Sequence, residues 1–225
     1  MRAIGVIMPV TVGAVLVALA LGCGQPARLE GAAAPEEIAL PAPSTKGGVS
    51  VEEAIARRRS IRQFADRELS LTEMGQLAWA AQGITEPSRG LRAAPSAGAT
   101  YPMELYLATR EGLFHYQPVG HRLAKVASGD VRAALSGQPA VRQAPVTFVL
   151  AAVYERTRSR YGERAERYVH IEAGHIAENL HLQAVALGLA SVPVGAFDDA
   201  AVARALNLPA DQAPIYMVPV GHPRG

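Results

Sequence analysis

Apolar positions recur along the chain with two different periods, and the switches between them mark the elements. From Glu163 to Leu187, Ile171, Ala173, Ile176, Ala177, Leu180, Ala184 and Leu187 follow helical spacing, and Gly188 closes the run. So little polar face predicts a central, buried helix. Val146–Tyr154 is a continuous apolar run, the signature of a strand covered on both faces. Met103–Thr109 and Leu113–Gln117 read as two strands of a hairpin turning at Glu111-Gly112, and Ser191–Val194 and Ile215–Val220 as two more strands. Ser50-Val51-Glu52-Glu53 and Ser70-Leu71-Thr72-Glu73 are capping boxes. They predict one helix running through Arg58 and another running through Trp79 and stopping at Gly83. Asp198 or Asp199 caps a further helix through Leu206, and residues 84–102, rich in Pro, Gly, Ser and Thr, read as loop. Strands mixed with one long helix predict an α+β sandwich.

The start of the chain follows neither period. Met1-Arg2 is positive, residues 3–22 are almost wholly apolar or Gly, and Leu19-Ala20-Leu21-Gly22-Cys23 ends the stretch. This is the pattern of a secretory signal, and Cys23 stands where a bacterial lipoprotein is cut and lipidated. The alternative is an uncleaved anchor, since about 20 apolar residues can span a bilayer. Either way the expected location is the cell envelope, with the domain held at a membrane. Residues 24–48, Ala-, Pro-, Gly- and Glu-rich, read as a flexible tether, and 49–225 as the folded domain.

Composition narrows the function classes. The chain has 225 residues, 49% of them hydrophobic and 19% charged, enough for one well-packed domain. A formal charge of +2 argues against a dedicated nucleic-acid binder. One cysteine, Cys23, excludes an internal disulfide and a cysteine-based zinc cluster.

Four segments carry candidate chemistry. Arg57-Arg58-Arg59-Ser60-Ile61-Arg62-Gln63-Phe64 can surround a phosphate with guanidinium forks and a hydroxyl. The competing explanation is that cations favour a helix C-terminus. Ala94-Pro95-Ser96-Ala97-Gly98-Ala99-Thr100-Tyr101-Pro102 offers backbone that a flat ligand can approach closely. Leu187–Asp198 ends the long helix and then exposes Gly195-Ala196, and Pro219-Val220-Gly221-His222-Pro223-Arg224 closes the chain.

In this order, and with Arg160-Tyr161-Gly162-Glu163-Arg164, Arg167-Tyr168 and Glu172-Ala173-Gly174-His175-Ile176-Ala177-Glu178-Asn179-Leu180, these segments resemble the nitroreductase-like flavoprotein superfamily. Within it they resemble the SagB/ThcOx-type dehydrogenases. The resemblance implies a three-layer α-β-α sandwich, an intertwined homodimer and bound FMN. It implies that Arg58, Arg59, Ser60 and Arg62 hold the phosphate and ribityl chain, with Arg224 as a last phosphate partner. Pro95, Ser96, Ala97 and Gly98 would line the isoalloxazine from the other subunit, and Gly195 and Ala196 would offer N–H groups near its reactive edge. The implied activity is FMN-dependent two-electron transfer in ping-pong fashion on a small-molecule or peptide substrate. Two departures stand out. Ala99 and Tyr101 replace the Asn and Gln of many nitroreductases, as in the SagB-like branch. Arg160-Tyr161 replaces that branch's Lys-Tyr pair, which serves proton removal from an azoline. Arg cannot act as a base, since its pKa exceeds about 12, which leaves Tyr161 as the group able to act, with Arg160 beside it. The non-enzyme alternative is an envelope lipoprotein that keeps the fold without turnover.

Glu172-x-x-His175 and Glu178-x-x-His181 suggest a metal site, but the two copies sit six residues apart on one helix and point about 240° apart. No metal is therefore expected, and His170, His175 and His181 read as core or interface histidines.

Overall fold

The computed structural model describes residues 36–225. The signal segment 1–23 with Cys23, and the first part of the tether, lie outside the described residues. The chain runs β1 (Glu37–Ala39), α1 (Val51–Arg57), α2 (Leu71–Gln82), β2 (Ile84–Glu86), β3 (Leu91–Arg92), a single 3-10 turn (Ala97–Ala99) and β4 (Met103–Thr109). It continues through β5 (Gly112–Gln117), β6 (Arg122–Ser128), α3 (Arg132–Leu135), α4 (Pro139–Gln143), β7 (Val146–Ala152) and α5 (Tyr154–Tyr161). It ends with α6 (Ala165–Ala186), β8 (Ala190–Ser191), α7 (Asp199–Ala205) and β9 (Ala213–Gly221).

Seven strands form one antiparallel sheet in the order β1-β6-β5-β4-β7-β9-β8. The apolar run of β7 is central because every one of its residues is buried, between β4 and β9 in the sheet plane and between helices above and below. One core joins Leu77, Ala78, Leu105, Leu107, Phe148, Leu150, Ile176 and Leu180, so α2 and α6 cover that face. The other joins Phe64, Leu135, Val141, Val149, Met217, Val202 and Leu206, so α3, α4 and α7 cover the opposite face. The result is a three-layer α-β-α sandwich. Each fully buried leucine contributes about 1.5–3 kcal/mol, so these two faces dominate the stabilising side of folding.

Caps set the helix starts. At α2 the capping box is complete: Glu73 N donates to Ser70 Oγ at 3.2 Å and Ser70 N donates to Glu73 Oε2 at 2.7 Å. At α1 it is half formed. Glu53 N donates to Ser50 Oγ at 3.1 Å, but the Glu53 carboxylate pairs with Arg57 instead of returning to the cap.

Several sequence expectations are corrected. The fold begins before Val49. β1, inside the span read as tether, pairs with β6, and Ser44 exchanges two hydrogen bonds with the Gln76 side chain. Main-chain pairing needs no apolar period, which is why a Pro/Ala-rich segment hid it. Residues 84–102 contain a small hairpin of β2 and β3. The long helix expected from Glu163 is α6, but a further helix, α5, precedes it and ends at Gly162, whose φ is 55°. Ile171, expected in the core, is 49% exposed on the outer side of α6. β6 was missed because it lies near the sheet edge and carries Lys125 and other polar positions.

Candidate functional site

The arginine segment follows α1 and is stitched along the β8–β9 end of the sheet. Ser60 bridges Ser191, Ile61 N donates to Ser191 O, Ala65 N to His222 O and Arg224 N to Gln63 O. These bonds carry residues 60–65 alongside the C-terminal tail. Arg62 and Arg224, far apart in sequence, therefore line one cavity of about 450 Å³ together with Gln63, Gln138, Pro139, Ala140 and Gln143.

The neighbouring arginines face elsewhere. Arg59 Nη1 donates to Ala56 O at 3.1 Å and to Arg58 O at 2.6 Å, which makes it a cap on the end of α1. Arg58 Nη1 lies 3.4 Å from His181 Nε2, and His181 Nδ1 lies 2.6 Å from Ser191 Oγ. A guanidinium only donates, so Nε2 accepts and the ring proton sits on Nδ1, donating to Ser191. Burial, helped by the Arg58 charge, pushes His181 down to about 4 and keeps it neutral.

Gly195 and Ala196 are exposed just after Val194, whose backbone pairs with Met217. Gln138 Nε2 donates to Ala196 O at 3.1 Å. Ala196 also lines a cavity of about 400 Å³ with Ser136, Gly137, Gln138 and Phe197. Gln138 thus forms a wall common to the Arg62–Arg224 cavity and the Ala196 cavity.

A second cluster forms around the Pro95–Gly98 loop. Gly98 has φ 60°, and Arg160 Nη1 donates to its carbonyl at 3.1 Å. A Cβ at Gly98 would lie 2.7 Å from both Arg160 Nη1 and Tyr161 Oη, so a side chain there would push the ends of these two groups aside. Tyr161 in turn meets Tyr168 edge-on, with ring centroids 5.0 Å apart. The structure therefore brings Arg160 and Tyr161 onto the loop that contains Pro95, Ser96, Ala97 and Gly98. This cluster belongs to the layer of α5 and α6, whereas Gln138 and Ala196 belong to that of α3, α4 and α7. Among the described residues no hydrogen bond or ion pair links the two clusters within one chain.

Glu172 was read from sequence only as half of a Glu-x-x-His pair. In the structure the residue is 2% exposed, and the two Glu-x-x-His copies diverge, Glu172 and His181 being buried while His175 and Glu178 are exposed. Burial raises Glu172 to about 7, against the opposing pull of Ser96, Arg92 and Gln82. The signal was available, since position 172 falls on the apolar stripe of Val169, Ala173 and Ile176, where a carboxylate is costly.

The nitroreductase family model matches residues 55–222. A Methanocaldococcus jannaschii protein named as a nitroreductase is 38% identical over 183 residues, covering 77% of this chain and 91% of the relative. The chain thus belongs to the nitroreductase family, a family of oxidoreductases. The microcin B17-processing protein McbC of Escherichia coli is 27% identical over 161 residues, or 64% of this chain and 59% of McbC. Among solved structures, one with a nitroreductase name from Ralstonia eutropha superposes with a TM-score of 0.80 at 30% identity, covering 84% of this chain and 90% of that one. The E. coli microcin synthetase McbBCD complex with truncated pro-MccB17 gives a TM-score of 0.68 at 24% identity, over 81% of this chain and 76% of that one, and so shares the fold.

Proposed function

We propose that this chain is an FMN-dependent oxidoreductase that works as a homodimer and is held at the cell envelope through Cys23. The observation that carries the reading is the convergence of Arg62 and Arg224 on one cavity walled by Gln138. The donor set suits FMN: two guanidiniums and an amide match a dianionic phosphate. When bound, FMN supplies two-electron chemistry, and the protein supplies position and electrostatics.

In this reading Arg62 and Arg224 hold the phosphate, and Arg58 and Ser60 brace the same segment through His181 and Ser191. Ala196 and Gly195 present backbone to the ring edge beyond Gln138. The loop with Pro95 and Gly98 lies in another layer of the same chain, so a second copy would supply it, which is the support for a homodimer. In this reading Tyr161 Oη hands a proton to or from a substrate, with the Arg160 guanidinium beside it. A domain outside the cytoplasmic membrane needs a reductant other than cytosolic NAD(P)H, and a membrane quinol meets that need.

A second reading, oxidation of an azoline in a peptide, is favoured by the placement of Arg160 and Tyr161 on Gly98 and by the similarity to McbC, a microcin-processing protein.

The test is the visible absorbance of the purified full-length chain in detergent, before and after FMN is added. A yellow protein that retains stoichiometric FMN on gel filtration supports the reading, and a colourless one that ignores FMN overturns both enzymatic forms of it. Turnover with quinol or NAD(P)H against an azoline peptide then separates the two.

A further inference from the structure

A second cationic cavity, of about 290 Å³, adjoins the one lined by Arg62, and the two share Gln143 and Arg224. Four arginines from four parts of the chain line it: Arg110 from the β4–β5 turn, Arg132 from α3, Arg142 from α4 and Arg224 from the C-terminal tail. Like charges gathered in one place repel, and carboxylates or a bound anion offset that cost. Two of the four are offset within the chain. Arg110 Nη2 donates to Asp66 Oδ1 at 2.8 Å, and its Nε lies 3.3 Å from Glu68 Oε1. Arg132, its side chain 5% exposed, gives Nε and Nη2 to the Asp130 carboxylate at 2.8 and 2.6 Å and Nη1 to Ala144 O at 2.6 Å. A guanidinium carries five N–H donors, so Arg132 keeps donors in hand after these three bonds. Arg142 and Arg224 are different. Among the described residues their guanidiniums have no hydrogen-bond or ion-pair partner, and each is tied by its backbone, Arg142 N to Gln138 O and Arg224 N to Gln63 O, both at 3.4 Å. Four guanidiniums against Asp66, Glu68 and Asp130 leave one positive charge in excess.

We propose that this cavity binds a phosphoryl group, as a second anion site beside the one lined by Arg62. Arg142 and Arg224 present unspent donor forks that match phosphate oxygens, and the Gln143 amide lies on the wall they share. The nearby carboxylates do not oppose the anion freely, because each is held on an arginine, Asp66 and Glu68 on Arg110 and Asp130 on Arg132. Two sources carry the required group. One is free phosphate or a phosphate monoester. The other is the second phosphate of a flavin dinucleotide whose first phosphate lies on Arg62, with Arg224 between the two. That the neighbour is a flavin phosphate rests on the function proposed above, whereas the second cavity is a property of the chain alone.

The experiment is calorimetric titration of the full-length protein in detergent with inorganic phosphate, in the presence of excess FMN and at constant ionic strength, since salt screens exposed guanidiniums. Arg142→Ala is the informative variant, because Arg142 is exposed and lines only the second of the two cavities. Phosphate should bind saturably, and Arg142→Ala should weaken it about tenfold or more, the loss of a charged hydrogen bond. Arg142→Lys should restore part of the affinity, and Arg62→Ala should change it less than about twofold. No saturable binding up to about 10 mM phosphate, or an equal loss in Arg62→Ala and Arg142→Ala, overturns the proposal. Fluorescence titration with FMN and with FAD separates the sources. A loss of about tenfold for FAD alone in Arg142→Ala assigns the group to a dinucleotide, and unchanged affinity for both flavins assigns the site to free phosphate. If neither flavin binds while phosphate still binds through Arg142, the flavin reading falls and the second site stands.

Discussion

Arg160 donates its Nη1 hydrogen to the carbonyl of Gly98 at 3.1 Å, and the position a Cβ would take at Gly98 is 2.7 Å from the same nitrogen. One contact thus ties the end of α5 to the loop before β4, and a side chain at residue 98 would have to displace the Arg160 guanidinium. Gly98→Ala should lower stability by about 1–3 kcal/mol, from the left-handed φ and the displaced guanidinium together. Thermal melting of the two proteins checks this, and an unchanged melting temperature would show that Arg160 moves aside without loss.

The two guanidiniums of the shared cavity offer a sharper test. Arg62→Ala and Arg224→Ala should each weaken FMN binding by about 1.5–3 kcal/mol, the loss of a charged hydrogen bond, or roughly 10- to 150-fold in Kd. Arg59→Ala should leave FMN affinity near wild type and cost only helix-end stability, because its guanidinium bonds Ala56 O and Arg58 O. Fluorescence titration with FMN distinguishes these, and equal effects at Arg59 and Arg62 would show that Arg59 turns into the cavity on binding.

Tyr161→Phe keeps the edge-on contact with Tyr168 and removes only the hydroxyl beside Gly98. FMN affinity should stay within about twofold, while turnover falls about a hundredfold if Oη carries a proton in the reaction. Stopped-flow measurement of the two half-reactions shows which one loses rate. Equal rates in both would return Tyr161 to a packing role.

How much of this was legible in the chain differs by element. β7 and the inner face of α6 announced themselves, because a strand covered on both faces is apolar throughout and a helix face against a sheet is apolar at helical spacing; the exposed face of α6, with His170, Ile171, His175 and Glu178, departs from the central, buried helix that its sequence predicts. The Arg62–Arg224 pair could be anticipated from the family resemblance, but periodicity could not place it, since the backbone bonds of residues 60–65 to Ser191 and His222 are set by tertiary contact. β1 and the β2–β3 hairpin were hidden because short strands held by main-chain bonds leave no side-chain signature. Glu172 was visible as a carboxylate on an apolar stripe, and only the fold revealed that Ser96, Gln82 and Arg92 enclose it.

The two buried titratable groups of α6 should pull stability in opposite directions with pH. Glu172 is raised from 4.5 to about 7, so the folded chain binds its proton more tightly than the unfolded chain, and stability falls as pH rises through that interval. The full effect is at most about 3 kcal/mol. His181 is lowered from 6.5 to about 4, so the unfolded chain binds its proton more tightly, and stability is complete above 6.5 and is lost as pH falls toward 4. Where the two intervals overlap the slopes oppose each other, and the contribution of this pair to the wild-type profile should be nearly flat. Removing one group should expose the other: Glu172→Gln should gain stability with rising pH across the overlap, and His181→Asn should lose it. Urea denaturation of the three proteins across that range measures both slopes. If the two variants tilt the same way, at least one of these groups does not titrate in the fold as its burial requires.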